Sequence, residues 1–369
     1  MKSPGGSSKT GFFGRFFSSF RKGGKAKSLI GMSIGTSSIK LVELKKTGAD
    51  DWQLVHFATA QLPEETIVNR EIVNPLAVVE NIKTLDNELG LQERNVAISI
   101  SGTSVIIKRL TVEVEKKTEL EGQVFWEAEQ YLPFDINEVY MDYSVLSPQS
   151  TGSVDVILVA AKQDVLDSYM GCVQDAGFVP KIVDVDFFAL QHVFEANYQT
   201  PASQSSCLVD IGAASLKLLI VHDGIPVFTK ESLMGGNNLT NEIQKHLDLS
   251  FADAESLKVS AQGVGTPQEV QELVGIMNEN VAAEVKRGID FYNASSSGAP
   301  VGGIYLTGGS AKLPNLVNFV ANATGIQCQI LNPFNVVSYD PEKLTDAEAV
   351  EIAPMAALAL GLSIRAGAE

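Results

Sequence analysis

Apolar and polar positions along this chain alternate with strand spacing, then helix spacing, and the switch recurs many times. "SLIGMSIG" (28–35) and "SIKLVELKK" (38–46) read as strands, and "WQLVHFATAQLP" (52–63) continues in strand style after a turn at Asp50-Asp51. "NPLAVVENIKTLDNELGL" takes helical spacing, with Asn74 as N-cap, Pro75 in the first turn and Gly90 near the end. "NVAISISGTSVIIKRLTV" reads as two short strands about a Ser-Gly-Thr-Ser turn, and "KKTELEGQVFWEAEQYLP" as a helix. The strands "EVYMDYSVLS" and "SVDVILVAAK", the helix "QDVLDSYMGCVQDAGF" and the strand "PKIVDVD" complete a compact α+β block over 96–186. A helix, "FFALQHVFEANY", and a polar break, "QTPASQSS", precede "CLVDIGAASLKLLIVHDGIPVFTKES", where strand spacing resumes.

The second run of strands repeats the first. "GMSIGTSSIKLVEL" lies over "LVDIGAASLKLLIV" at one offset of 177, so Gly35 falls on Gly212, Thr36 on Ala213, Ser37 on Ala214, Ser38 on Ser215 and Lys40 on Lys217. Each copy opens one half of an alternating α/β chain, which points to a duplicated domain. Glycine and small residues let successive backbone N–H groups approach an anion, and the hydroxyls of Thr36, Ser37, Ser38 and Ser215 add donors. Lys40 alternates onto one face with Ser38 and leans toward the same anion. A single such hairpin is ordinarily just a turn; two facing copies make a phosphate clamp. Two further stretches support this. "GGIYLTGGSAKLPNLVNFV" (302–320) ends a buried strand at Thr307-Gly308-Gly309-Ser310 before a helix, where a flat ligand can lie against backbone. "MGGNNLTNEIQKHL" (234–247) opens a helix at Gly235-Gly236 and sets Glu242 and Lys245 three apart on one face.

Composition narrows the function classes. The 369 residues suit about two domains at roughly 100–200 residues each. Seven of the 28 basic residues and no acid fall in residues 1–28, so the other 21 face all 44 acids, a net of −23. An acidic body lacks the basic face a nucleic-acid binder needs. The first 28 residues interleave five phenylalanines with basic residues in "GFFGRFFSSFRKGGKAK". No apolar run there reaches the roughly 20 residues of a bilayer span, and no secretory h-region is present. A solvated Gly/Ser-rich tail and a weak patch for anionic lipid both stay open. Cys172, Cys207 and Cys328 are far apart and form no CxxC pair, which fits reduced cytoplasmic thiols. His56, His192, His222 and His246 show no metal-ligand spacing.

The motifs "IGTSSIKLVEL", "DIGAASLKLLI", "GGNNLTNEI", "LTGGSAKLPNL" and the C-terminal "APMAALALGL" together resemble the actin-like ATPase superfamily, and within it the PilM family of type IV pilus assembly, relatives of FtsA. The resemblance runs from about residue 29 to 365. It implies an α/β, two-lobed actin-like ATPase fold with duplicated ribonuclease-H-like cores and an inserted α+β subdomain. Its parts would be a subdomain 1A (29–95, 181–203, 341–369), the inserted 1C (96–180), 2A (204–235, 285–340) and 2B (236–284), after a tail at 1–28. By similarity, residues 31–40 and 210–217 are the phosphate loops for ATP or ADP with Mg²⁺. Gly35, Thr36, Ser37, Ser38, Lys40, Asp210, Gly212, Ala213, Ala214 and Lys217 would hold the phosphates. Gly308, Gly309 and Ser310 would hold the adenosine, and Glu242 and Lys245 would reach ribose or adenine.

Many actin-like proteins carry an acid just before the first Ile-Gly; here it is Ser33, while the second copy keeps Asp210. Metal holding then falls on Asp210, with Asp184 or Asp186, through water. With no candidate to position a water, the expectation is nucleotide binding with slow or no hydrolysis, and no catalytic residue is assigned. The family resemblance further implies a cytoplasmic scaffold, peripheral at the inner membrane. It would bind the N-terminal cytoplasmic segment of PilN in a groove between 1C and the first lobe, cluster with its own copies, and meet other pilus platform and motor proteins. Phe125, Trp126 and Tyr131 are candidates to line that groove or to form a core stripe. A small-molecule kinase or polyphosphatase-like enzyme and an FtsA-like membrane tether are the alternative readings; FtsA-like proteins carry their membrane end at the C-terminus, whereas the basic aromatic stretch here is N-terminal.

Overall fold

The computed structural model describes residues 29–365 except 49–50, 115–116, 149–151, 262–264 and 296–297, so the readings of the N-terminal tail lie outside the described residues. The chain opens with strands β1 (Leu29–Ile34), β2 (Ser38–Lys46) and β3 (Trp52–Gln61), then a small hairpin of β4 (Ile67–Val68) and β5 (Glu71–Ile72). Helix α1 (Pro75–Leu89) follows, capped by the Asn74 side chain and ended by Gly90 in the left-handed region, as the spacing predicts. Next come β6 (Asn95–Ile100), β7 (Val105–Glu113), α2 (Leu120–Glu129), β8 (Val139–Pro148), β9 (Ser153–Lys162), α3 (Gln163–Asp175), β10 (Val179–Val185) and α4 (Asp186–Asn197). The second half holds β11 (Ser205–Ile211), β12 (Leu216–His222), β13 (Ile225–Ser232), α5 (Gly236–Leu247), α6 (Phe251–Ser260), α7 (Gln268–Ser295), β14 (Val301–Thr307), α8 (Leu316–Thr324), β15 (Cys328–Ile330), β16 (Val337–Ser338) and α9 (Asp346–Ile364).

Two sheets repeat one plan. The first runs β10-β6-β1-β2-β3-β16, the second β13-β12-β11-β14-β15. In each, an antiparallel three-strand meander (β1-β2-β3, β11-β12-β13) is extended by parallel strands on the side of its first strand. The registers match as well: Ser33 pairs with Lys40, and Asp210 with Lys217. The same offset of 177 therefore holds in space as it does along the chain. Both faces of β1 and β11 are covered, so even Ser33, Ser205, Ser206 and Asp210 are buried along with their apolar neighbours.

The inserted unit starts later than the sequence suggests. Asn95–Ile100, expected to open it, runs parallel to β1 and is a strand of the first sheet. Val179 and Pro180, expected to close it, pair with β6. What stands apart is the sheet β7-β9-β8 with α2. Strand β9 divides its side chains: Val156 and Leu158 pack with Leu110, Val112, Val124 and Ala128, while Ile157, Val159 and Ala161 join the core of the first lobe. Its alternation thus serves two cores. In the second lobe α7 runs unbroken through 284–285, where the sequence reading divides 2B from 2A.

Helix α9 returns to the first lobe. Its N-terminus is a capping box of Thr345 and Glu348. It is long and apolar enough to cross a bilayer by composition alone. Its apolar surface is spent instead against α4 and β1. Contact is close enough that a Cβ on Gly31 would strike the Ala359 carbonyl, and one on Gly361 the Ala189 carbonyl. Pro354 lies inside this helix. Its carbonyl accepts from Gly308 N (2.9 Å) and Thr307 Oγ1 (2.8 Å), tying the last helix of one lobe to the second lobe.

Candidate functional site: a two-hairpin cleft and an adjoining groove

The β1–β2 and β11–β12 turns close identically. Gly35 N donates to Ser38 O (3.0 Å) and Gly212 N to Ser215 O (2.9 Å). The amides between them, of Thr36 and Ser37 and of Ala213 and Ala214, donate to no protein acceptor among the described residues. These half-buried tips have the free amides that an anion nest needs. Both line one cleft, together with Ser33, Lys40, Arg70, Asp186, Asp210, Lys217, Gly308 and Gly309.

Charge in the cleft is asymmetric. Register places Glu231, Lys217, Asp210 and Thr307 in one cross-strand row of the second sheet. The Lys217 ammonium lies 3.0 Å from Asp186 Oδ2 and 3.1 Å from Asp210 Oδ2. Burial works against the charge of Lys217 and of Asp186. For Lys217, Asp186 and Asp210 outweigh it and hold the ammonium above its ordinary pKa. For Asp186, Lys217 and Arg70 outweigh it and hold the carboxyl below its usual range. Lys40, the same residue of the first copy, faces Ser33 instead of an aspartate. It donates to Ser38 Oγ (2.8 Å) and has no carboxylate at ion-pair distance among the described residues. Burial lowers its pKa, against the pull of Asp210. Ser33 in place of an aspartate therefore leaves Lys40 without the ion pairs that hold Lys217.

Gly308 and Gly309 differ in their surroundings. Gly308 has φ +87°, and a Cβ there would strike Ile211 O and Asp210 Oδ1. A Cβ on Gly309 would meet open space, so this residue leaves room on the cleft wall. Ser310 Oγ turns to Gly212 O (3.2 Å) and joins the loop to the second hairpin. Gly236 N and Asn237 N donate to Gly212 O and Ala213 O. The Gly-Gly helix start therefore caps the hairpin.

The remaining candidate residues lie as follows. Asp184, offered as an alternative metal holder, is buried and points to Arg365 Nε (3.2 Å); Asp186, two residues on, is the one that faces the cleft. Beside it, burial and Arg365 push His192 down to about 3. Arg365 Nη1 approaches His192 Nε2 at 3.4 Å, which makes Nε2 the acceptor. Glu242 and Lys245, expected to reach ribose or adenine, pair with each other at 2.8 Å on an exposed face of α5. Trp126 and Tyr131 are exposed on and just after α2 and line neither cavity.

Beside the cleft lies a larger groove of about 870 Å³. Val105, Ile106 and Ile107 of β7, Phe187 of α4 and Leu233 supply apolar walls; Lys230 and Glu231 of β13 supply charge. Thr36, Arg70 and Ala214 line both groove and cleft, so one wall serves the two. Sequence reasoning missed Arg70 and Glu231. The signal for Glu231 is its alternation on β13, opposite Lys217. Arg70 has none: it follows Asn69 on a two-residue turn, and both have positive φ.

A family-level sequence profile described as "Type IV pilus assembly protein PilM" matches residues 31–367. A solved chain of the "PilM-PilN type IV pilus biogenesis complex" is 27% identical with TM-score 0.83, covering 92% of this chain and 98% of its own. The cell division protein FtsA of Enterococcus hirae is 21% identical over 358 residues, covering 84% of this chain and 79% of its own. MreB5 of Spiroplasma citri, solved bound to AMPPNP, is 12% identical with TM-score 0.50, covering 93% and 96%, a likeness of fold alone. The actin-like, two-lobed fold expected from the sequence is borne out by these likenesses.

Proposed function

Since this chain belongs to the PilM family of type IV pilus assembly, we propose that it is a nucleotide-binding scaffold whose cleft holds ATP or ADP and whose groove takes the N-terminal cytoplasmic segment of PilN. The observation that carries the reading is the shared wall: two anion nests face one cleft, and Thr36, Arg70 and Ala214 continue from it into the groove. In this reading the free amides of Thr36, Ser37, Ala213 and Ala214 hold the phosphates and Lys40 neutralises them. Gly308 and Gly309 lie against the adenosine. Asp210 and Asp186 hold Mg²⁺ through water. Two carboxylates plus phosphate oxygens suit this cation, which keeps several waters. No group of three His, Cys, Asp or Glu is placed to hold a metal among the described residues, so the ion arrives with its nucleotide.

The solved relative is a PilM-PilN complex, and its PilN is the partner carried over here. A groove of about 870 Å³ with apolar walls and charges at its rim accommodates a short extended peptide. The protein then works in the cytoplasm, held at the inner membrane by that partner, with hydrolysis slow. Calorimetry tests both halves. A peptide copying the PilN N-terminus is expected to bind the folded chain at micromolar or tighter affinity, and MgATP or MgADP to bind at one site per chain. Absence of peptide binding refutes the partner assignment; absence of nucleotide binding refutes the cleft assignment.

A further inference from the structure

The narrow cleft and the roomy groove are divided by one side chain. Arg70 stands on the turn between β4 and β5 with φ +71°, and Asn69 before it has φ +51°. L side chains rarely adopt that region, so contacts must hold the turn in place. The Tyr169 hydroxyl donates to the Arg70 carbonyl at 3.2 Å. The guanidinium crosses to the second lobe and donates to Ser215 Oγ and to Glu231 Oε1 (2.8 Å). Glu231 gathers two more donors: Ser215 Oγ at 2.8 Å, and Gly102 N at 2.9 Å on its other oxygen. Gly102 lies between β6 and β7, at the root of the inserted unit. One carboxylate thus joins the first lobe, the second lobe and the insert.

The ion pair is mostly shielded from water, each side chain being 16% exposed. On its other side Arg70 feels the cleft, where Asp186 and Lys217 act on it and Lys40 and Asp210 line the same space. That cleft measures only about 60 Å³, far too little for a nucleotide while the lobes are latched. The Arg70–Glu231 pair spans from the first lobe to the second beside this cleft.

We propose that Arg70 is a phosphate-sensing residue that switches partner: a nucleoside triphosphate draws its guanidinium from Glu231, and Glu231 then loosens its hold on Gly102 and the groove wall. The proposal rests on the nucleotide reading of the cleft. A guanidinium binds phosphate in a planar, bidentate fork, and the terminal phosphate of a triphosphate brings more charge than a diphosphate offers. The neighbouring Lys217 repels Arg70 and is itself held by two aspartates, which leaves the incoming anion to compete with Glu231 and Asp186 for the arginine.

The test measures fluorescent ATP and ADP analogues binding to the full chain, as wild type, Arg70→Ala, Arg70→Lys and Glu231→Gln, with circular dichroism to verify folding. The wild type is expected to prefer the triphosphate. Losing the charged fork in Arg70→Ala reduces the ATP-to-ADP preference about tenfold, the scale of one charge-assisted hydrogen bond. Arg70→Lys, which keeps the charge without the fork, falls between. Glu231→Gln removes the competitor and tightens the triphosphate about fivefold or more, on the scale of a released ion pair. Hydrogen exchange over Gly102–Ile107 is expected to quicken with the triphosphate in wild type and to be fast with either nucleotide in Glu231→Gln. A wild type that binds both nucleotides equally, or variants with an unchanged ratio, overturns this inference alone. A wild type that binds neither overturns the cleft reading along with it.

Discussion

Lys217 is the buried cation of the second hairpin, and Lys217→Met is the sharpest perturbation of it. Its ammonium sits between Asp186 and Asp210, 3.0 and 3.1 Å away, and all three residues are under a tenth exposed. Methionine fills similar volume but leaves two buried carboxylates facing each other. Breaking a buried pair from one side costs about 3–5 kcal/mol, which we expect at pH 8. The loss must shrink in acid. In wild type the Asp186 carboxyl is held low, so its contribution persists above the unfolded carboxyl pKa and falls away only as pH drops through the folded value. Between pH 8 and pH 5 the wild type therefore gains and loses nothing through Asp186. In the variant the sign inverts, because burial and a like charge raise the Asp186 pKa above its unfolded value. Protonation then stabilises the variant as pH falls, recovering up to about 1.4 kcal/mol per pH unit below the raised value. Urea unfolding followed by circular dichroism at pH 8 and pH 5 reads the difference, and Asp210→Asn added to Lys217→Met is expected to restore part of the loss. A loss equal at both pH values, or under about 1 kcal/mol at pH 8, would refute the argument.

Lys40→Ala behaves oppositely to its repeat partner: with no carboxylate left behind, the unfolding midpoint changes little, while nucleotide affinity falls about tenfold or more by calorimetry. His192 titrates near 3 in the fold against about 6.5 unfolded, so the unfolded chain binds the extra proton and stability declines as pH falls from about 6.5 toward 3. His192→Gln is expected to flatten that decline, worth up to about 1.4 kcal/mol per pH unit in a urea series at pH 6.5, 5.5 and 4.5. Ile106→Asp places a charge on the apolar wall of the groove and is expected to weaken the PilN peptide about tenfold or more by calorimetry, with nucleotide affinity unchanged.

Much of the fold was legible because its signals are local and repeated. The strand–small-residue turn–lysine unit could be aligned with its copy, and the paired registers of Ser33 with Lys40 and Asp210 with Lys217 follow from that alignment. Helix α1 announced both of its ends through Asn74, Pro75 and Gly90. What stayed hidden depends on long-range pairing. The strand Asn95–Ile100 sits beside a helix and a turn like those of the inserted unit, and only its parallel pairing with β1 assigns it to the first sheet. Asp184 and Asp186 are equivalent as sequence, two apart on an extended run. Arg365, at the far end of the chain, claims the first and leaves the second to the cleft. Arg70 and Glu231 are 161 residues apart, and no period or turn rule relates them.

The exchange of Ser33 for Asp210 explains how a symmetric duplication yields two hairpins of different charge. Both copies bring a lysine to the second strand, opposite the last residues of the first. In the second copy that opposite residue is Asp210, and with Asp186 it holds Lys217 fixed and leaves it no charge to spare for a ligand. In the first copy it is Ser33, so Lys40 has a hydroxyl and no carboxylate at hydrogen-bond distance, and burial lowers its pKa against the pull of Asp210. One lysine is thus structural and the other available. Exchanging them tests this division directly: Ser33→Asp supplies the missing carboxylate, and an ion pair with Lys40 then stabilises the first hairpin while competing with phosphate. The unfolding midpoint should rise or hold and the affinity for nucleotide without metal should drop about tenfold, the scale of a charge-assisted hydrogen bond. Unchanged affinity in a folded Ser33→Asp protein would mean that Lys40 does not touch the phosphates, and the backbone amides of Thr36, Ser37, Ala213 and Ala214 would have to hold them alone.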